Sequence, residues 1–156
     1  MRSVRTALCF VAALLLAGSA LAGESQKFEK TFPLDDEEHK IGVKFKDVTI
    51  ESVKLRNFPD PDDFEKAEKD LNDTHTVVVE FTYSNRDEDH DYKCKYVVTV
   101  ENGKEKDGKP WGDNDRTATL DKGKIEDTNK MFMKMKTRHF KEAKKFKVSF
   151  EIWKKG

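Results

Sequence analysis

The sequence predicts an all-β protein, an antiparallel β-sandwich of about seven strands with one short helical excursion. Apolar and polar residues alternate over several segments of the chain, as expected when one face of a strand is buried and the other meets water. Clusters of Gly, Asn, Asp and Pro separate these segments at intervals that suit a sandwich. A helical spacing of apolar residues occurs over one short stretch.

The first 22 residues have the order of a secretory signal peptide. Arg2 and Arg5 precede an apolar run at 7–16, and residues 20–22 (Ala-Leu-Ala) give the small-x-small cleavage pattern. The run is shorter than the roughly 20 apolar residues that a membrane-spanning helix needs, although an uncleaved anchor is the alternative. We therefore expect a secreted or periplasmic protein with no membrane span after cleavage. Gly23 stands where a lipoprotein carries its acceptor Cys, which favours release without a lipid anchor.

The charge balance of the chain is close to neutral, with 30 Lys and Arg residues against 30 Asp and Glu residues. The signal contains two of the arginines and no acid, so cleavage changes this balance little. Both signs are interspersed, which is typical of a solvated surface. The balance argues against a nucleic-acid partner, because a dedicated nucleic-acid binder carries a basic face.

Cysteine content excludes one kind of stabilisation. Cys94 is the one cysteine that remains after cleavage, so no intramolecular disulfide can form. It falls in an alternating segment, which favours a buried thiol. An intermolecular disulfide and a metal thiolate are the alternatives.

The processed chain begins with a polar segment. Residues 23–40 predict an irregular N-terminal arm, in which Phe28 and Phe32 are the residues suited to docking it on the domain. The domain itself is expected to span residues 41–156.

Strands are expected from Ile41 onward. The alternation slips once near residues 46–47, which indicates a tight turn or a bulge between two strands. Residues 57–74 then interrupt the strands with turn residues and with apolar spacings of three and four, which predict a short helix that ends near Leu71.

The second half of the chain carries the clearest alternation. Segments 76–83 and 92–100, joined by the charged residues 85–91, predict an antiparallel hairpin. A short strand is expected around 117–120, and the last strand around 146–152.

The charged connection contains four candidate metal ligands, Asp87, Asp89, His90 and Asp91. Carboxylate oxygens that converge from a turn suit calcium, whereas an imidazole beside carboxylates suits zinc or copper. Tyr92 occupies the position at which a calcium-binding EF-hand loop needs Gly, so the loop does not fit that motif. A solvated loop is the alternative interpretation.

Three further features have two interpretations each. Residues 113–115 form a second acidic segment, expected to be a loop. Met131, Met133 and Met135 recur at period two, which places them on one strand face as core residues or as thioether ligands for Cu(I). Trp111 lies in a polar loop, where it is either an exposed partner-binding residue or a cover for the end of the core.

The sequence carries no recognisable catalytic motif. None of its four histidines stands in a nucleophile elbow or a zinc-protease motif, and no phosphate-binding glycine loop occurs. We therefore expect a protein that is not an enzyme and that needs no cofactor.

Four segments carry a family resemblance: VTIESV at 48–53, VVVEFTYSN at 77–85, LDKGK at 120–124 and FKVSF at 146–150. They resemble the telokin-like, immunoglobulin-fold extracellular domains of bacterial secreted proteins and lipoproteins, in which an asparagine ends a central strand. The resemblance covers residues 41–153 and implies an immunoglobulin-like sandwich and a non-enzymatic envelope or extracellular module. It implies no functional residues, because the family shares no catalytic set. The chain departs from it at residues 57–74 and in lacking the lipid-anchor Cys.

These observations favour an exported, non-enzymatic β-sandwich module that binds a protein or a cell-envelope component. The alternative function is divalent-metal binding by the acidic residues 87–91. A third possibility is a structural domain without a ligand of its own.

Overall fold

The computed structural model describes residues 24–57, 71–101 and 111–156. The signal peptide at 1–22 and most of the helical excursion at 57–74 lie outside the described residues. Within them, no helix is long and apolar enough to cross a membrane.

The described residues form eight antiparallel strands and one short helix. The elements are β1 Ser25–Pro33, β2 His39–Phe45, β3 Val48–Asn57, β4 Thr74–Asn85, β5 Tyr92–Glu101, β6 Gly112–Leu120, β7 Asp127–Lys136, α1 Thr137–Glu142 and β8 Lys145–Lys154. The first sheet has the order β1-β8-β5-β6, and the second sheet has the order β2-β3-β4-β7. The predicted all-β antiparallel sandwich is confirmed, with one strand more than the seven or so expected. The immunoglobulin-like connectivity is a finer statement and stays a prediction.

The core lies between the two sheets. Phe81 of β4 meets Tyr96 of β5 and Phe150 of β8 in edge-on contacts, with ring centroids 4.7 Å and 5.5 Å apart. Such aromatic pairs add to the stabilisation that burial of each large apolar side chain provides, roughly 1.5–3 kcal/mol. The alternate methionines of β7 are buried in this core, which confirms their interpretation as core residues.

The irregular arm expected at 23–40 is wrong over Ser25–Pro33, because those residues form β1. β1 pairs with β8 along its whole length, from Ser25 opposite Trp153 to Pro33 opposite Lys145. Its alternation is hidden in the sequence because an edge strand exposes most of its side chains. Phe32 is buried and Phe28 is half-buried, so the expected docking of these two rings is confirmed.

The hairpin predicted from segments 76–83 and 92–100 is also wrong. β4 lies between β3 and β7 in the second sheet, whereas β5 lies between β8 and β6 in the first. The connection at 86–91, which we call the crossing loop, therefore carries the chain from one sheet to the other. Alternation of apolar and polar residues shows which face of a strand is buried. It does not show which strand is the partner, because the strands of both sheets have the same alternating pattern.

The tight turn expected near residues 46–47 is confirmed, whereas the start of the short strand expected around 117–120 is wrong. The phase slip at residues 46–47 is a tight turn between β2 and β3, with Lys46 in the left-handed region at φ 52°. The short strand expected at 117–120 begins earlier, at Gly112. Residues 113–115 consequently belong to β6, and the second acidic loop is not a loop.

Candidate functional site

The crossing loop is organised by Asn85, the last residue of β4. Its side chain is fully buried, and its Nδ2 donates to the carbonyl oxygens of His90 at 3.1 Å and Leu120 at 3.0 Å. Its Oδ1 accepts from the backbone N–H of Asp87 at 3.1 Å. The Asn85 amide is therefore the hydrogen-bond partner of backbone groups at both ends of the crossing loop and on β6. Buried polar groups need such partners.

The Asp87 carboxylate accepts hydrogen bonds from within and beside the crossing loop. It accepts the backbone N–H groups of Asp89 and His90, both at 2.9 Å, and the Tyr92 hydroxyl at 3.2 Å. The His90 ring Nδ1 lies 3.1 Å from both carboxylate oxygens. Loss of hydration raises the pKa of this carboxyl, but the hydrogen bonds from Asp89, His90 and Tyr92 outweigh it and lower the pKa to about 2.

Three of the four predicted metal ligands come together. Asp87, Asp89 and His90 each offer one ligand atom, and these atoms lie within 4.8 Å of one another. Asp91 points elsewhere, because its carboxylate accepts the backbone N–H of Lys122 and the Nζ of Lys155, both at 3.1 Å. Two carboxylates and an imidazole form a donor set that several divalent cations accept.

Trp111 folds back onto the protein. Its indole stacks on the buried ring of His139, with centroids 4.7 Å apart and planes 10° from parallel. Its backbone N–H donates to Val100 at 3.1 Å, and the half-buried ring packs against the core. The geometry favours the cover interpretation, and partner binding by Trp111 stays a prediction for the exposed part of the ring.

Cys94 lies on the inner face of β5. It is fully buried as a free thiol, and burial raises its pKa to about 12. Since the thiolate is the form that attacks disulfides and binds metals, this environment confirms the expected buried thiol.

The outer face of the second sheet is strongly basic, and we call it the basic face. Strand alternation and register place seven cations at its outward positions: Lys40, Lys44, Lys54, Arg56, Lys130, Lys134 and Lys136. The acids beside them are Glu80 in the middle of the face, Glu51 at the bulge of β3, and Glu38, which accepts the hydroxyl of Ser52. The even distribution of charge expected from the sequence does not hold here.

Glu80 is neutralised by two of these cations. Its Oε2 lies 2.7 Å from Arg56 and 3.2 Å from Lys130. Burial raises its pKa, but these two partners lower it further than burial raises it, so the carboxylate is ionised at neutral pH. With three acids against seven cations, the basic face still keeps a net positive charge.

Phe132 projects from the basic face. It lies on β7 between Lys130 and Lys134, in register with Val78 of β4, and 52% of it is exposed. Large apolar side chains with this exposure are ordinary when scattered singly, but this one stands inside a cluster of like charges. The sequence pattern did not identify Phe132 as a surface residue, because in this segment it pointed only to the methionines.

Side chains of β6 contact the edge of β7 that is not paired with β4. Asn114 Nδ2 donates to the Phe132 carbonyl at 2.7 Å, and the Arg116 guanidinium donates to the Lys130 carbonyl at 2.6 Å. These side chains occupy carbonyls that an incoming strand would otherwise pair with, which protects the edge from aggregation. They also fix the position of Phe132 on a strand that is already bonded to β4.

No protein-family model, curated protein or solved structure matches the chain.

Proposed function

We propose that the protein is an exported, non-enzymatic module that binds a protein or a cell-envelope component. The observation that carries this proposal is the more than half-exposed Phe132, which stands between Lys130 and Lys134 on β7, at the edge of the basic face. Aromatic side chains are enriched at the cores of protein interfaces, whose rims are polar.

The support for Phe132 lowers the entropic cost of binding. β7 is hydrogen-bonded to β4 on one side and contacted by Asn114 and Arg116 on the other. A partner therefore meets a backbone that is already ordered, and less conformational freedom is lost when the complex forms.

Site-specific photo-cross-linking tests the proposal. A photoreactive residue at position 132 should yield cross-linked products in the native envelope fraction, and the same residue at position 99 serves as the control. Thr99 faces outward from the other sheet. Equal cross-linking from both positions, or none from 132, would contradict the proposal; a variant carrying the photoreactive residue at position 111 tests the Trp111 prediction in parallel.

The non-enzymatic part of the proposal has its own test. A screen of the purified protein against common hydrolase substrates should show no turnover above that of a heat-denatured sample. Robust turnover that follows the protein through purification would overturn it.

Divalent-metal binding is the second candidate function, and the observation that favours it is the approach of Asp87, Asp89 and His90 within 4.8 Å. The Asp87 carboxylate already accepts hydrogen bonds from its own loop, so a metal must compete with these donors. Calorimetry with calcium, zinc and copper should then show binding that Asp89→Asn weakens and Asp91→Asn does not. Binding no tighter than about millimolar, the weak limit of extracellular calcium modules, removes this candidate.

A further inference from the structure

We propose that the basic face docks on an anionic phospholipid surface, with the Phe132 ring entering the lipid interface. This inference rests on the proposed function and names the envelope component that the module binds. It requires a cationic surface that carries an exposed apolar side chain, which is the combination that holds peripheral proteins on charged membranes.

The cations of this face form a spread array. Lys130, Phe132, Lys134 and Lys136 occupy successive outward positions on β7, and successive outward positions of a strand are about 7 Å apart. Lysine is a compact point charge, whereas bidentate recognition of one carboxylate or phosphate uses the arginine fork. The arginine on this face, Arg56, has its guanidinium bonded to Glu80. The geometry therefore suits many weakly localised anions better than one specific group.

Two outward cations of the other sheet lie beside acids. Lys95 lies 3.5 Å from Asp115, and Lys27 lies 3.4 Å from Glu151. The two outer faces therefore differ in net charge although the chain as a whole is neutral. Complementarity with a negative surface belongs to the basic face.

The position of Phe132 favours a lipid surface over an acidic protein as the partner of the basic face. The ring projects from a sheet face and more than half of it is exposed, so a protein partner needs a matching pocket to bury it. A lipid interface accepts a projecting ring without a pocket, while lysine side chains around it keep their charges at the headgroups.

Vesicle sedimentation tests the inference. The processed protein, recovered after export from an expression host, is mixed with vesicles of phosphatidylcholine alone or with added phosphatidylglycerol, at low and at high salt. We expect binding to the anionic vesicles that decreases as salt screens the charges, and little binding to the neutral ones. All variants share one N-terminus, so its contribution to binding is the same throughout.

Two variants and a matched control define the surface. K130Q/K134Q should weaken binding about 25-fold, because each basic side chain near such a surface contributes a factor of about five. F132A should weaken it about tenfold or more through loss of the buried ring. K27Q/K95Q removes the same charge from the other sheet and should change binding less than about twofold. Circular dichroism and thermal unfolding confirm that each variant is folded.

Three results would overturn the lipid inference: equal binding to neutral and anionic vesicles, equal weakening by K27Q/K95Q and K130Q/K134Q, or retention by immobilised poly-glutamate or duplex DNA without binding to vesicles. The cross-linking experiment keeps the two proposals apart. Cross-links from position 132 to an envelope protein, with no vesicle binding, refute the lipid inference alone. Absence of cross-links from position 132 to any protein or lipid of the envelope fraction refutes the proposed function itself.

Discussion

Replacing Asn85 with Ala should destabilise the protein far more than its small change in volume suggests. The substitution removes two hydrogen bonds that Nδ2 donates, to His90 and Leu120, and one that Oδ1 accepts, from Asp87. Each buried polar group left without a partner costs about 1–3 kcal/mol. Since part of the crossing loop reaches water, we take about 1 kcal/mol for each and expect a loss of about 3 kcal/mol in the free energy of unfolding.

The assay is urea denaturation followed by circular dichroism, with thermal unfolding as a second measurement. A loss of about 3 kcal/mol corresponds to a decrease of about 10 °C in Tm for a domain of this size. The slope of the urea transition should not change, because the surface exposed on unfolding is nearly the same.

Asn114→Ala is the matched control. Asn114 also donates from Nδ2 to a backbone carbonyl, that of Phe132, but it is exposed. Water replaces its side chain, so the loss should be below about 0.5 kcal/mol. If Asn85→Ala costs no more than Asn114→Ala, the reasoning about the buried amide is refuted.

Three other predictions concern the residues singled out by the sequence. Asp87 has a folded pKa of about 2, below its ordinary value of 3.8, so the stabilisation it provides is complete above about pH 5 and is lost as the pH falls through 4 toward 2. The free energy of unfolding of the wild type should therefore decline more steeply over that range than the free energy of unfolding of Asp87→Asn. Parallel curves from denaturation at several pH values would contradict this. The Cys94 thiol, buried and with a pKa of about 12, should react with Ellman's reagent only after denaturation, and rapid reaction of the native protein would show that it is accessible. Trp111→Ala should lower the free energy of unfolding by about 2 kcal/mol through loss of packing and of the stack on His139, with Trp111→Phe losing less; equal stability of both variants and the wild type would favour a purely partner-binding role.

The faces of the strands were predictable from the sequence, but their partners were not. Alternation correctly places Val77 and Phe81 of β4, and Tyr92 and Tyr96 of β5, in the core. It assigns these strands to each other because they follow one another along the chain. Their actual partners lie in two different sheets, and pairing over such distances depends on the packing of the whole domain rather than on local pattern.

The same limit applies to the candidate sites. Asp87, Asp89 and His90 come together because one short loop contains them. Asp91 does not join them, because the chain turns into β5 there and directs its carboxylate toward Lys155. The basic face was missed entirely, since it needs β7 to lie in one sheet with β2 and β3, which are far from it in the sequence.

The pairing of β1 with β8 determines when this protein can fold. The hydroxyl of Ser25 donates to Glu151 across a sequence separation of 126 residues, and β8 lies between β1 and β5 in the first sheet. While the ribosome is still making residues 145–154, β1 has no neighbour and β5 lacks one of its two. Loop closure over such a separation is slow. For a chain exported as we propose, the first sheet cannot be completed until β8 is available, which favours export of the chain before the sandwich closes.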